Sequence, residues 1–141
     1  MKAKVLITGS SGFIGKILTK KLSKQYKVFS IDKTKKGRVD NFYHIDLRNK
    51  KKLNEFFSKN KVDTIIHLAS EIFDENENIV YENNIICAQN LIDLAKKYKI
   101  KQIIFTSTFS IYEKNYNNLI KESEKPSAKN KYGLSKFDIE K

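Results

Sequence analysis

An apolar run, Lys4-Val5-Leu6-Ile7-Thr8, leads into Gly9-Ser10-Ser11-Gly12-Phe13-Ile14-Gly15, three glycines at a spacing of three. Between a strand and a helix, such a loop suits one kind of chemistry, the cradling of a pyrophosphate. Gly9 makes the tight turn, Gly12 lets backbone approach the phosphates, and Gly15 lets the helix pack on the strand. The helix N-terminus offers unpaired N–H groups, so Gly9, Ser11, Gly12, Phe13, Ile14 and Gly15 form the predicted phosphate-binding loop. Asp32 closes the second apolar run, 17 residues after Gly15. A carboxylate there accepts hydrogen bonds from a ribose diol and repels a 2′-phosphate, which favours NAD over NADP. Lys33, Lys35 and Lys36 pull the other way, since one of them could fold back onto a phosphate. The plain alternative is a glycine-capped turn with no ligand, and the carboxylate at the end of the second run argues against it.

These residues need a frame that holds them. Short branched apolar runs predict strands over 4–8, 27–31, 42–45, 64–68 and 102–106. Between them, Phe13, Ile14, Ile17, Leu18 and Leu22 recur at helical spacing from 13 to 25. Leu53, Phe56 and Phe57 mark a second helix, and a long helix is expected over 81–98 with Ile85, Ile86, Ala88, Leu91, Ile92 and Ala95 facing inward. A last helix begins at Tyr132. Strands alternating with helices at this interval imply a parallel sheet with helices on both faces. Right-handed crossovers give the strand order 3-2-1-4-5, so the expected fold is a doubly wound, Rossmann-type α/β sheet. Residues 1–141 read as one such domain.

Composition excludes several alternatives. The formal charge is +12, but only Arg38 and Arg48 among 28 basic residues are arginine, the type favoured for bidentate phosphate and base contacts. The lysines are scattered, so no nucleic-acid partner is expected; basic charge would instead attract an anionic substrate or cofactor. No apolar run approaches the ~20 residues that span a bilayer, so no membrane partner is expected either. With one cysteine, Cys87, no internal disulfide can form, and the reducing cytoplasm is the expected location. His67 and His44 have no metal-ligating partners at useful spacing, and a satisfied structural histidine is the expectation for both, with no metal site. Cys87 reads as a small core residue.

The spacing Thr-Gly-x-x-Gly-x-x-Gly resembles the short-chain dehydrogenase/reductase superfamily, and within it the extended branch of nucleotide-sugar epimerases and dehydratases. The resemblance runs from Lys4 to Lys141. Asp46-Leu47 resembles the pair at the adenine end of the cofactor, and His67-Leu68-Ala69-Ser70 resembles the family's His-Leu-Ala-Ala segment lining the cofactor site. Asn84 resembles the asparagine of the family's fourth helix, although Cys87 and Ala88 stand where Gly-Thr is usual. Thr106-Ser107-Thr108-Phe109-Ser110-Ile111-Tyr112 resembles the serine-rich end of strand five, and Tyr132-Gly133-Leu134-Ser135-Lys136 matches Tyr-x-x-x-Lys.

That resemblance implies bound NAD, a nucleotide-sugar substrate, and catalysis by Thr108, Tyr132 and Lys136. Tyr132 and Lys136 are four apart and share a helix face. A tyrosine hydroxyl ordinarily titrates near 10, and a neighbouring ammonium stabilises the phenolate, which suits the pair to general-base work. Tyr132 would take a proton from a sugar hydroxyl, Thr108 would bond the same oxygen with Ser107 as a substitute, and Lys136 would also bond the nicotinamide ribose. Phe109 and Ser110 follow Thr108 where dehydratases carry an acidic pair, which favours an epimerase or a simple reductase. A non-catalytic NAD-binding module is the alternative, and Tyr132→Phe separates the two.

Family members continue beyond this point with further strands and a lobe that grips the nucleotide-sugar, whereas this chain stops five residues after Lys136. The expectation is a truncated product, a fragment or half of a split protein, with strand five left as a sheet edge. Such a chain would bind NAD yet turn over substrate poorly. A homodimer, or a separate chain supplying the missing lobe, is the implied partner.

Overall fold

The computed structural model describes residues 2–34, 40–112 and 119–141. The described residues form two compact units, one of residues 2–34, 40–70 and 89–106 and one of residues 71–88, 107–112 and 119–141.

The first unit is built on a five-stranded parallel sheet in the order β3-β2-β1-β4-β5. The strands are β1 Lys4–Thr8, β2 Lys27–Asp32, β3 Phe42–His44, β4 Thr64–His67 and β5 Gln102–Phe105. Each agrees with its expected position to within a residue, because a branched apolar run ending at a turn leaves little freedom of placement. Alternation along the strands divides the core. Val5, Ile7 and Val28 pack with Leu18 and Leu22 of helix α1, Phe13–Leu22. Phe29, pointing from β2 to the opposite face, meets the Phe56 ring of helix α2, Lys50–Lys59, edge-on at 5.7 Å. A helix therefore covers each face, as the doubly wound expectation requires. β5 is the end strand of the sheet as described, and its Ile104 is exposed.

Two helical expectations need correction. Phe13, Ile14 and Ile17 are exposed, and the inward side of α1 is Gly15 and Thr19 with Leu18 and Leu22 half-buried. The helix also ends at Leu22 rather than Gln25, since the Gln25 and Tyr26 N–H groups fold back onto the Leu22 carbonyl. Helix α3, Glu77–Lys97, begins earlier than expected, and its Ile86 is exposed. Its buried positions include the polar Asn84 and Asn90 among Val80, Ala88, Leu91, Leu94 and Ala95.

The second unit holds the first half of α3, a short 3-10 turn at Phe109–Ile111 and helix α4, Lys131–Glu140. Asn130 starts α4, its Oδ1 accepting the Gly133 N–H at 2.7 Å. No helix among the described residues is long and apolar enough to cross a membrane.

Candidate functional site

In the first unit, the glycine loop is held by the strand ends around it. Gly9 has φ +68°, and a Cβ placed on it would lie 2.6 Å from the Ala69 nitrogen. That close approach exists because the segment after β4 is tied to β1: Leu68 N–H donates to the Thr8 carbonyl, and Ala69 N–H donates to the Thr8 hydroxyl at 3.4 Å. On the other side, Ser10 N–H donates to the Ile31 carbonyl, and Ser11 N–H donates to Asp32 Oδ2 at 2.9 Å. Asp32 Oδ1 accepts from the Thr34 N–H and hydroxyl, each at 2.9 Å. Gly9, Ser11, Leu68, Ala69 and Asp32 are thus brought to one edge of the sheet, at the carboxyl ends of β1, β2 and β4, where open α/β sheets bind their ligands.

The loop suits a pyrophosphate. Gly12 is the N-cap of α1 and supplies no side-chain cap, and the first turn carries no acidic residue, so its N–H groups are open to an anion. The Ser11 hydroxyl is buried without a hydrogen-bond partner among the described residues, a donor with nothing to donate to. Lys35, Lys36 and Arg38 lie outside the described residues.

Asp46 is paired with Arg48, whose guanidinium lies 2.6 Å from Oδ2 and holds the carboxyl below the usual carboxylate range. Leu47 is buried, and its carbonyl accepts a 3.0 Å bond from Asn90 Nδ2, which also reaches the Arg48 carbonyl at 3.3 Å. Asn90 is therefore the clamp on this segment, and nothing in its spacing marked it beforehand. Asn90→Ala should cost about 1–3 kcal/mol in a denaturant melt, because two carbonyls lose their donor. His67 is buried with its Nδ1 2.7 Å from the Thr8 hydroxyl, the structural role expected of it, and His44 Nε2 lies 2.8 Å from the Lys33 carbonyl.

In the second unit, Tyr132 and Lys136 lie on α4 with the Lys136 ammonium 5.8 Å from the Tyr132 ring centre. Lys136 is only 2% exposed, and burial pushes its ammonium down to about 8. Thr108 caps the 3-10 turn: its Oγ1 accepts the Ser110 N–H at 3.2 Å and donates to Ser110 Oγ at 3.3 Å. That turn lies against the start of α4, since a Cβ on Gly133 would sit 2.5 Å from the Ser110 carbonyl oxygen. The residue next to Tyr132 and the turn capped by Thr108 are thus in contact. Ser107 is exposed. Asn84, expected at the cofactor, uses its amide within the protein, bonding Glu71 and Ser135.

The family model described as the NAD dependent epimerase/dehydratase family matches residues 5–141. The UDP-glucose 4-epimerase of Halalkalibacterium halodurans is 32% identical over 97% of this chain and 44% of its own length. A dTDP-D-glucose 4,6-dehydratase of Dictyostelium discoideum is 30% identical over 97% of this chain and 38% of its own. Among solved structures, the UDP-Glc/GlcNAc 4-epimerase from Campylobacter jejuni superposes with a TM-score of 0.89 at 27% identity, covering 98% of this chain and 47% of that one. The UDP-glucose 4-epimerase from Bifidobacterium longum, in complex with NAD+ and UDP, gives a TM-score of 0.84 at 27% identity, covering 98% of this chain and 47% of that one. The chain thus spans about half the length of the curated relatives it matches.

Proposed function

Because this chain belongs to the NAD dependent epimerase/dehydratase family, we propose that it binds NAD and carries the proton-transfer residues for oxidation of a sugar hydroxyl in a UDP-hexose. The observation that supports this most directly is the uncapped helix α1 behind a glycine loop whose Ser11 N–H is bonded to Asp32. Gly9, Ser11, Gly12, Phe13, Ile14 and Gly15 would hold the pyrophosphate, and Asp32 the adenosine ribose. Asp46, Leu47, Leu68, Ala69 and Ser70 would line the remainder. NAD, when bound, supplies a hydride acceptor for the sugar carbon.

The residues of the second unit supply the rest of the chemistry. Tyr132 accepts the proton of the sugar hydroxyl, Lys136 favours its phenolate, and Thr108 bonds the reacting oxygen. The Thr108 hydroxyl lies 3.3 Å from Ser110 Oγ, so this role requires it to exchange that partner for the substrate oxygen. An epimerase rather than a dehydratase fits Phe109 and Ser110 in place of an acidic pair. Residues 1–141 together act as the NAD-binding domain of the reaction.

Calorimetric titration with NAD and with NADP tests the cofactor assignment. NAD should bind at least about tenfold more tightly, and Asp32→Asn should shrink that preference by about the same factor, since a neutral amide no longer repels a 2′-phosphate. Failure of both dinucleotides to bind the folded chain would overturn the proposal. Tyr132→Phe should lower UDP-glucose-dependent reduction of NAD by about 10²-fold or more while leaving NAD affinity in place.

A further inference from the structure

Ser135 lies between Tyr132 and Lys136 in the chain, is 0% exposed, and has no part in the proposed chemistry. Its hydroxyl donates to the Tyr132 carbonyl at 2.7 Å and accepts from Asn84 Nδ2 at 3.1 Å. Asn84, 5% exposed, in turn grips one residue by both its backbone groups. Its Oδ1 accepts the Glu71 N–H at 2.8 Å, and its Nδ2 donates to the Glu71 carbonyl at 2.9 Å. One turn further along the same two helices, the Tyr81 hydroxyl donates to Asp138 Oδ2 at 2.9 Å.

Residues 81 and 84 are three apart on α3, and 135 and 138 are three apart on α4, so the two bonds form successive rungs between facing helix surfaces. Apolar packing between helices is non-directional and tolerates small rotations, whereas a buried hydrogen bond has a preferred distance and angle. Rotating α4 would break the inner rung and strand Asn84 and Ser135 away from water, which costs more than the bond itself contributes. The rotation of α4 decides where the Tyr132 phenol and the Lys136 ammonium point, because both leave the same helix on a face adjacent to Ser135.

We propose that Ser135, held by Asn84, is a positioning residue that fixes the rotation of α4 and thereby aims Tyr132 and Lys136, with Tyr81–Asp138 as the supporting rung. This rests on the assignment of Tyr132 and Lys136 as the proton-transfer pair.

The test uses protein with carbon-13-labelled tyrosine rings, the Tyr132 resonance being assigned by its absence in Tyr132→Phe. NAD is titrated into the unsubstituted protein, Ser135→Ala and Tyr81→Phe. NAD should shift the Tyr132 resonance in the unsubstituted protein. In Ser135→Ala that shift should fall by about half or more while NAD affinity, set by the glycine loop, stays within about tenfold. Tyr81→Phe should change the shift in the same direction by a smaller amount. An unchanged Tyr132 response in Ser135→Ala would overturn the proposal. Should Ser135→Ala fail to fold, Tyr81→Phe, which leaves no cavity, decides by the same criterion. If NAD binds the unsubstituted protein without any response at Tyr132, the parent assignment fails, and that result is distinct from a shift that survives loss of the serine.

Discussion

Lys136→Met is expected to make the protein more stable and catalytically dead. Lys136 is 2% exposed, and burial lowers its pKa from 10.5 to about 8, so holding it charged at neutral pH costs about 3 kcal/mol relative to the unfolded chain. Methionine keeps the unbranched chain and most of its volume while removing the charge. Allowing for the contact between the ammonium and the Tyr132 ring that is lost, the net gain should be about 2 kcal/mol, or roughly 5 °C in Tm. The proton-transfer pair loses its cation at the same time, so NAD reduction by UDP-glucose should fall by about 10²-fold or more. A thermal melt and an absorbance assay together check both halves. A destabilised Lys136→Met protein would mean that the ammonium is stabilised by its surroundings rather than strained by them.

The same residue sets a pH dependence. Between pH 8 and 10.5 the unfolded lysine is protonated while the folded one is losing its proton, so the unfolded state binds more protons. Stability from this group is therefore lowest below pH 8 and rises as pH climbs toward 10.5. Subtracting the Lys136→Met profile isolates that rise from the titration of other groups. A difference that is flat across this window would show that burial does not perturb Lys136.

The strands and the phosphate loop were legible because their signals are local. β1 is a short branched run that must end where Gly9 turns, and Asp32 ends the next strand at the same sheet edge. The inward face of α1 was misread because apolar periodicity assigns Phe13, Ile14 and Ile17 to the core, whereas the sheet accepts Gly15 and Thr19 at close range. The start of α3 was hidden because Glu77 and Asn78 open the helix with polar side chains that carry no periodic signal. Least legible were the buried amides and hydroxyl. Asn84, Asn90 and Ser135 look like surface residues by type, and they are buried because groups of distant segments meet them, the Glu71 carbonyl at Asn84, the Leu47 carbonyl at Asn90 and the Asn84 amide at Ser135. Such partners are long-range, so neither composition nor spacing encodes them. The Tyr132–Lys136 spacing could be read directly, but the burial that strains Lys136 could not.

The glycine loop separates two effects that are usually confounded, fold integrity and phosphate access. Gly9→Ala places a Cβ 2.6 Å from the Ala69 nitrogen and 2.9 Å from the Leu68 carbonyl carbon, both backbone atoms, at φ +68°. The left-handed conformation alone costs about 1–2 kcal/mol for a residue with a Cβ. Since the Leu68–Ala69 segment is tied to Thr8 and cannot retreat freely, the total should be about 3 kcal/mol or more. Gly12→Ala is different. Its Cβ would meet only the Gly9 carbonyl oxygen, at 3.2 Å, and Gly12 is exposed at the helix entrance, so stability should change by less than about 1 kcal/mol. Yet the added methyl stands where a pyrophosphate must approach the α1 N-terminus, and NAD affinity should drop by about 100-fold. Gly9→Ala should therefore lose both stability and NAD binding, and Gly12→Ala binding alone. Denaturant melts paired with calorimetry distinguish the outcomes. A Gly12→Ala protein that binds NAD as tightly as the unsubstituted chain would place the phosphates elsewhere and remove the main support for the cofactor assignment.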